Sequence, residues 1–312
     1  MLELIDDRGL LLRSDAVAAG YRDIALTRSV RAGQLARVRQ GAYVLRDQWE
    51  GWGEVERHEL LVHAVMRQYD VNTIAASHAS AVVAWGGPDR GLDLGHVHVT
   101  SLFGTGGRHQ AGIIHHKGAV RVADLTRRGG IWVTSPVRTV LDTASLVDLD
   151  TGIVVADWFL HKALTTQAEL EAHRLAMDLW PNTLRLRRVV SLADGRSESV
   201  GETLCRRMFA RTHLPPPELQ WPVYGPNGQL AGVVDFAWPE RKLMLEFDGK
   251  QKYLSLRRPG ESIEDAVLRE KRREDLLREL TGFAMVRLVW ADLHSPDRTA
   301  ARVRRAMSPQ AA

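Results

Sequence analysis

Apolar residues in the first 46 positions recur at helical spacing and then give way to two short β-rich runs. The predicted helices span residues 2–9, 14–20 and 23–33, and each ends at a glycine or just before one. The β-rich runs at 36–39 and 42–45 are joined through Gln40 and Gly41. Three short helices followed by a β-hairpin predict a winged helix-turn-helix domain at residues 1–50.

The pattern over residues 51–190 mixes helices with short strands and predicts a central α/β domain. The expected helices lie at 54–69, 77–85, 136–145 and 154–164, with a further helix between 165 and 195. The expected strands lie at 96–100, 112–116 and 130–133.

Residues 191–308 predict a third domain, again of α/β type. Its expected order is a helix at 200–213, strands at 219–223, 231–238 and 243–248, a long helix at 263–280, a strand at 283–290 and a final helix from 295. The whole chain is therefore expected to be an α/β (α+β multidomain) protein with three domains.

Composition narrows the class of protein. The 312 residues are 45% hydrophobic and 26% charged, which is ordinary for a folded globular chain, and the net charge is only +4. The lone Cys205 excludes an intrachain disulfide and any zinc site built on several thiolates. An acidic amino terminus and the absence of a long apolar segment predict a cytoplasmic protein with no membrane partner.

Basic residues are concentrated near the amino terminus. Between residues 24 and 46 the chain has five arginines and no acidic residue. Arg28 and Arg31 are three positions apart on the third predicted helix, and Arg37 and Arg39 alternate along the first strand of the hairpin. A basic helix beside a basic wing favours binding to the phosphates of double-stranded DNA. The alternative is a solvated surface on a module that binds protein.

Acidic residues interrupt two apolar strands near the carboxyl terminus. Asp235 lies in VVDFAW, and Glu246 and Asp248 lie in LMLEFDG, where alternation places them on the same face. Carboxylates held this close need a cation, and oxygen ligands suit Mg²⁺ or Mn²⁺, which can activate water against a phosphodiester. Basic side chains that could hold the phosphate follow at Lys250, Lys252, Lys271, Arg272 and Arg273.

The run from EFDGKQKY through EKRREDLLREL to VRLVWADL resembles the PD-(D/E)XK nuclease superfamily, in the branch related to very-short-patch repair nucleases. The resemblance implies a restriction-endonuclease-like core with Asp235 and Glu246 as metal ligands and Glu202 as an auxiliary ligand. Asp248 stands where the superfamily has lysine, so Lys252 or Lys271 would have to supply the catalytic cation.

Structural interpretations compete for some of these residues. Glu202 fits a capping box that begins at Ser199, Asp248 precedes a glycine in a common turn pair, and EKRRED is typical of a solvated helix face.

The amino-terminal two-thirds resembles AbiEi-type antitoxins of abortive-infection systems, through the basic winged helix, SHASAVVAWG, HVHVT and VTSPVRTVLDTAS. The resemblance implies a regulator of its own promoter and, as a further partner, a cognate toxin of nucleotidyltransferase type. The last motif also predicts a helix start, with Ser135 as the cap, Pro136 in the first turn, and Arg138 and Asp142 as an i,i+4 pair.

Histidines form a further candidate site. His96 and His98 share one face of a strand, and His115 and His116 lie on a neighbouring strand, so they could bind a transition metal. Without a carboxylate motif beside them, we expect histidines on a sheet surface instead. The sequence therefore predicts a DNA-binding protein with a Mg²⁺-dependent endonuclease domain. The alternative is a non-catalytic repressor of the antitoxin type, whose nuclease-like domain only binds DNA or a toxin.

Overall fold

A computed structural model describes residues 1–70, 72–103, 108–177, 182–249 and 261–307. The chain is a mixed α/β protein that divides into two compact units. Unit 1 consists of Met1–Val155 and Ala163–Leu192, and unit 2 consists of Ala156–Lys162 and Ala193–Ala312. The finer division into three domains stays a prediction.

The first 45 residues contain a three-stranded antiparallel sheet and two short helices. The elements are β1 (Leu10–Leu12), α1 (Arg13–Ala18), α2 (Asp23–Arg31), β2 (Leu35–Arg39) and β3 (Ala42–Leu45), with the sheet order β1-β3-β2. The expected first helix is wrong beyond a single 3-10 turn, Leu2–Leu4.

The strand β1, which the sequence did not predict, follows that segment, and its three leucines are covered on both faces. Leu10 and Leu12 pack with Leu60, which lies beyond the first 45 residues. Leu11 packs on the opposite face with Leu26. A strand buried on both faces has a continuous apolar run instead of an alternating one, so the sequence pattern does not distinguish it from a helix.

The rest of unit 1 surrounds a six-stranded mixed sheet. Its strands are β4 (Ile74–Ala76), β5 (Val97–Ser101), β6 (Arg108–Gln110), β7 (Ile113–His116), β8 (Leu125–Arg128) and β9 (Ile131–Thr134), in the order β6-β7-β5-β4-β9-β8. Its helices are α3 (Arg46–Gly51), α4 (Glu54–Gln68), α5 (His78–Trp85), α6 (Pro136–Leu146), α8 (Gln167–Ala176) and α9 (Thr183–Leu192); α7 (Leu149–His161) continues into unit 2. Strands β5, β7 and β9 were expected, and β4, β6 and β8 were not.

The helix start predicted at Ser135 is confirmed. The Ser135 hydroxyl accepts the Arg138 backbone N–H, and Pro136 occupies the first turn of α6. Arg138 Nε donates to Asp142 Oδ1 at 2.7 Å, as the i,i+4 spacing predicts. Arg138 also forms an ion pair with Asp124, and all three side chains are buried. This motif is therefore part of the interior of unit 1.

Unit 2 is built on a four-stranded sheet with helices on both faces. Its elements are α10 (Val200–Arg211), β10 (Glu218–Tyr224), β11 (Leu230–Trp238), β12 (Leu243–Asp248), α11 (Ile263–Thr281), β13 (Ala284–Val289), α12 (Trp290–Leu293) and α13 (Pro296–Met307). The order is β10-β11-β12-β13, antiparallel except for the parallel pair β12 and β13.

The predicted alternation along β12 is confirmed by its packing. Leu243, Leu245 and Phe247 belong to one apolar core, together with the buried Cys205. Met244 packs into a second core on the opposite face of the sheet. Glu246 and Asp248 lie on the same face as Met244, because side chains alternate along a strand. In the described part of the chain, none of the helices is both long and apolar enough to span a bilayer.

Candidate functional site

The three acidic residues predicted to act together line one cavity of unit 2. Asp235 lies on β11, and Glu246 and Asp248 lie on the adjacent β12. The cavity has a volume of about 720 Å³. Asp235 is anchored to the neighbouring strand, because its Oδ2 accepts the Phe247 backbone N–H at 2.7 Å. The strand pairing therefore brings together acids that are more than ten residues apart in sequence.

Two arginines neutralise this acidic face. Arg273 of α11 forms an ion pair with Glu246 and lies 3.2 Å from Glu270 Oε1. Arg287 of β13 is the register partner of Glu246, and its guanidinium is 3.6 Å from Glu246 Oε2 and 3.8 Å from Asp248 Oδ2. Sequence reasoning missed Arg287 because it lies 41 positions after Glu246 and reaches it only through the parallel pairing of β12 and β13.

Glu246 is buried in this arrangement, with 6% of its surface exposed. Burial raises the pKa of its carboxyl, and Asp235 and Glu270 raise it further, whereas Arg273 and Arg287 oppose the rise. A carboxylate in this environment gains from any additional positive charge that can enter the cavity.

The three carboxylates are the right kind of ligand for a hard divalent ion, but their oxygen atoms are too far apart to bind one together. Carboxylate oxygens are the ligands that Mg²⁺ and Mn²⁺ prefer. In the described part of the chain, three potential ligand atoms lie within 4.8 Å of one another only in a histidine cluster of unit 1. An ion between Asp235, Glu246 and Asp248 therefore requires these side chains to approach one another, with Arg273 moving off Glu246.

Glu202 lies in the first turn of α10, next to the helix cap. Ser199 is the cap, because its hydroxyl accepts the Glu202 backbone N–H at 3.2 Å. The Glu202 carboxylate accepts the Ser199 hydroxyl at 2.7 Å and the Glu198 backbone N–H at 2.9 Å, so the reciprocal bond of the predicted capping box goes to Glu198 instead of Ser199. Gln220, which lines the cavity, donates to Glu202 Oε2 at 3.0 Å. Glu202 is thus linked to the cavity wall through one amide side chain.

The basic residues predicted from the sequence do not all lie beside the acids. Lys271 and Arg272 are exposed on α11 and do not line the cavity, whereas Arg273 does. Lys250 and Lys252 lie outside the described residues. Arg269, which the sequence did not single out, lines the cavity and forms an ion pair with Glu261 at 2.9 Å. Among the residues that the structure describes, the basic side chains beside the acids are therefore arginines.

The arginines near the amino terminus lie on α2 and on the hairpin that follows it. Arg28, Arg31 and Arg37 are exposed. Arg39 is half-buried, and burial lowers the pKa of its guanidinium. A register shift in β2 between Arg37 and Arg39 interrupts the simple alternation that the sequence suggested for these two residues.

The expectation that these histidines lie on a sheet surface is wrong for His98 and His115. His98 and His115 are each only 5% exposed. His98 and His116 lie beside His78, whereas His115 contacts the Tyr69 hydroxyl through Nε2 at 3.0 Å. His96 is exposed and pairs with Asp93 at 2.8 Å. The sequence pattern predicted strand faces for these residues but could not reveal that helix α5 covers one of them.

The amino-terminal segment is similar to a known protein family. Residues 1–46 match the family described as "Transcriptional regulator, AbiEi antitoxin". This segment contains β1 to β3, α1 and α2, together with the arginines discussed above. The match is confined to this segment of unit 1 and does not extend to unit 2.

Two relatives are similar to a longer part of the chain, and their names state no activity. Both are uncharacterized proteins of Mycobacterium tuberculosis, one from strain CDC 1551 / Oshkosh and one from strain ATCC 25618 / H37Rv. Each is 31% identical over 184 residues, which is 59% of this chain and 64% of the relative. The chain thus spans 64% of the length of the curated relatives that it matches.

Proposed function

We propose that this protein is a DNA-binding transcriptional regulator of the AbiEi antitoxin type. The observation that carries the proposal is the match of residues 1–46 to that family, in a segment that exposes Arg28, Arg31 and Arg37. No acidic residue lies between positions 24 and 46, so the local charge is entirely positive. Such a surface attracts the phosphates of a duplex.

The element order supports a winged helix-turn-helix docking mode. Helix α2 would enter the major groove with Arg28 and Arg31 near the phosphates, and the hairpin of β2 and β3 would place Arg37 beside the same duplex. Arg46 has a different role, because its guanidinium lies 3.4 Å from Glu50 within α3.

The test is fluorescence anisotropy on DNA from upstream of the protein's own gene and on a scrambled duplex, over a range of salt concentrations. Replacing Arg28→Ala and Arg37→Ala together should weaken binding and reduce the salt slope by about 2, or about 1 per lost phosphate contact. The matched control is Arg187→Ala with Arg188→Ala, which removes the same charge from exposed positions of α9. Equal losses in both double variants would refute α2 and the hairpin as the DNA-binding surface.

The antitoxin assignment makes a toxin partner part of the same proposal. A cognate toxin of nucleotidyltransferase type would be the protein bound by this regulator. Co-expression with such a toxin tests the idea, since rescue of cell growth supports it and unchanged toxicity counts against it. This outcome does not depend on the DNA-binding measurement.

We also infer a second function, a Mg²⁺-dependent deoxyribonuclease activity in unit 2. The observation that favours it is the placement of Asp235, Glu246 and Asp248 on one cavity wall of a mixed four-stranded sheet. Asp235 and Glu246 would hold the ion, which when bound supplies activated water and charge for the leaving oxygen.

The residues of the chain would do the remaining work of this second function. Arg273 would leave Glu246 and bind a phosphate oxygen, and Arg269 would hold the adjacent phosphate from the same helix. Asp248 would stay paired with Arg287, which keeps the end of β12 next to β13. Lys252 and Lys271 remain candidates for the catalytic cation, and Glu202 for an auxiliary ligand.

The experiment is cleavage of supercoiled DNA with and without Mg²⁺ or Mn²⁺. Asp235→Asn and Glu246→Gln preserve side-chain shape while removing the charge, and each should abolish cutting. Glu240→Gln is the control, because Glu240 is an exposed acid in the turn between β11 and β12. Absence of metal-dependent cutting, or cutting that survives both site variants, would eliminate the nuclease and leave the regulator.

A further inference from the structure

Three histidines from three separate segments of unit 1 meet in one cluster. His78 is the first residue of α5, His98 lies on β5 and His116 ends β7. One potential ligand atom from each lies within 4.8 Å of the other two. His98 and His116 share a face of the sheet, because β5 and β7 are parallel and pair His98 with Ile114.

The rings are in direct contact. His98 Nδ1 lies 2.9 Å from His116 Nε2, and the rings of His78 and His116 stack with their centroids 3.6 Å apart. His78 and His98 are buried, and His116 is half-buried. Several ring nitrogens of these three imidazoles therefore lie close together, and each needs a hydrogen-bond or ligand partner.

Hydrogen bonds do not satisfy His98. Its Nε2 is buried and has no hydrogen-bond partner among the described residues. If Nδ1 carries the proton and donates to His116, the Nε2 lone pair is left buried and unpaired. If Nε2 carries the proton, that N–H group is buried without an acceptor, even when His116 Nε2 donates to His98 Nδ1. A metal ion bound by His98 Nε2 would remove this mismatch, because it accepts that lone pair.

The surroundings of His78 orient its ring. Its Nδ1 lies 2.9 Å from the Ser77 hydroxyl, so Nε2 is the nitrogen left for a ligand. A metal-binding histidine is commonly held in this way through its second nitrogen. The backbone of His78 has a φ of 50°, a left-handed conformation that is unfavourable for a residue with a side chain. Strained backbone of this kind is concentrated at functional sites.

Burial also disfavours the charged form of these rings. It lowers the pKa of His116 to about 3, that of His98 to about 4 and that of His78 well below its usual range.

We propose that His78, His98 and His116 form a three-histidine site for a first-row transition metal, with Zn²⁺ as its representative ion. Three imidazole nitrogens suit Zn²⁺, Cu²⁺ or Ni²⁺ and are poor ligands for Mg²⁺ or Ca²⁺. Three protein ligands leave a fourth position open. Cavities of about 280 Å³ and 420 Å³ adjoin the cluster, the first lined in part by Asp93 and the second by Lys117.

The site would also connect α5, β5 and β7, since it takes one ligand from each. Ligand nitrogens around a tetrahedral ion are roughly 3.3 Å apart. The ligand atoms of the three rings lie within 4.8 Å of one another, so the rings must close by up to about 1.5 Å around an ion. This site is separate from the carboxylates of unit 2 and does not depend on either proposed function.

The test uses the full-length protein after treatment with a chelator. Co²⁺ is titrated while visible absorption is recorded, and Zn²⁺ is then added in competition. We expect one equivalent of Co²⁺, displaced by Zn²⁺, and a higher thermal midpoint with metal than without. His98→Gln and His116→Gln should each weaken metal binding by at least ~100-fold and remove the thermal shift.

The control is the double variant His96→Gln with His109→Gln. These exposed histidines have ring centroids 6.4 Å apart and are the nearby pair most suited to adventitious metal. The control should bind metal as the original protein does. Loss of binding in the control with retention in the cluster variants would overturn the proposal, as would failure of the unaltered protein to bind an equivalent of metal.

X-ray absorption of the Zn²⁺-loaded original protein provides a measurement that does not require folded variants. A shell of three imidazole ligands supports the proposal. A shell of oxygen ligands alone overturns it.

Discussion

At the residue scale, several buried charges in this protein are paired with a charge of opposite sign. Arg138 lies between Asp142 and Asp124 in unit 1, and Asp157 in unit 2 accepts the Thr203 hydroxyl at 2.8 Å and pairs with Arg206 at 2.7 Å. A buried ion pair contributes little net stability, but removing one partner leaves the other charge uncompensated in a medium of low dielectric constant. These residues are therefore sensitive points of the fold.

Replacing Arg138→Met should destabilise unit 1 by about 3–5 kcal/mol, because it leaves two buried carboxylates without their guanidinium. Hydrogen exchange of the α6 amides measures the loss. Arg13→Met is the control, since Arg13 and Asp23 form an ion pair whose side chains are about half exposed. Its expected cost is about 0–1 kcal/mol. Similar losses in both variants would contradict the importance of burial.

The pH dependence of unit 1 should include a contribution from His63. Burial, followed by the charge of Arg8, lowers the pKa of this histidine to about 4. Between that value and the ordinary 6.5, the unfolded chain binds a proton that the folded chain does not, so stability falls as the pH is lowered through this window. At 1.36 kcal/mol per unit, the contribution approaches roughly 3 kcal/mol near pH 4.

Hydrogen exchange of α4 at pH values from 7 to 4 would detect this effect. His63→Gln should flatten the dependence, whereas His109→Gln, at an exposed position, should leave it unchanged. An identical slope in the original protein and in His63→Gln would show that other groups control the acid sensitivity.

At the element scale, α10 packs closely against the sheet of unit 2. Gly201 is in the first turn of α10, and a Cβ added there would meet Phe247 Cε1 at 1.9 Å. The ring of Phe247 therefore occupies space that only glycine leaves open. Glycine usually weakens a helix, so its presence here reflects packing, and the same turn carries Glu202.

Gly201→Ala should cost about 1–3 kcal/mol, because Phe247 or the helix must shift to admit the methyl group. Gly51→Ala is the control, since nothing lies within 4 Å of a Cβ added at that position of α3. There the substitution should be neutral or stabilising by up to about 1 kcal/mol. Thermal denaturation of both variants checks the difference, and an unperturbed Gly201→Ala protein would mean that this contact is soft.

At the scale of the whole molecule, the proposed activities belong to different compact units. The arginines of α2 and the hairpin lie in unit 1, and the carboxylate cavity lies in unit 2. The chain crosses between the units three times: within α7 at residues 155 and 156, again at 162 and 163, and finally at 192 and 193. DNA binding and DNA cutting should therefore respond to different substitutions.

Glu246→Gln should abolish metal-dependent cutting while leaving DNA affinity within about twofold, because a change at this buried acid does not alter the exposed arginines. The double variant Arg28→Ala with Arg37→Ala should weaken affinity but keep its cutting rate at saturating DNA. Anisotropy and plasmid nicking on the same preparations test both expectations. A parallel loss of both activities in either variant would show that the units do not act separately.

The sequence by itself determined the features that depend on neighbouring residues. The alternation along β12, the cap at Ser135 and the pair of Arg138 with Asp142 are set by strand and helix geometry within a few positions, and each is confirmed. Helix α4 and strand β12 were likewise located from their apolar spacing, because long or strictly alternating patterns leave little choice of element.

Only the tertiary structure decided the contacts between distant segments. Arg287 reaches Glu246 through a parallel strand pair, Asp124 reaches Arg138 from outside its helix, and His78 joins His98 and His116 because α5 covers the sheet. The strand β1 exists because cores on both of its faces bury its leucines. Local periodicity specifies which face a side chain occupies, but strand order and packing determine what that face meets.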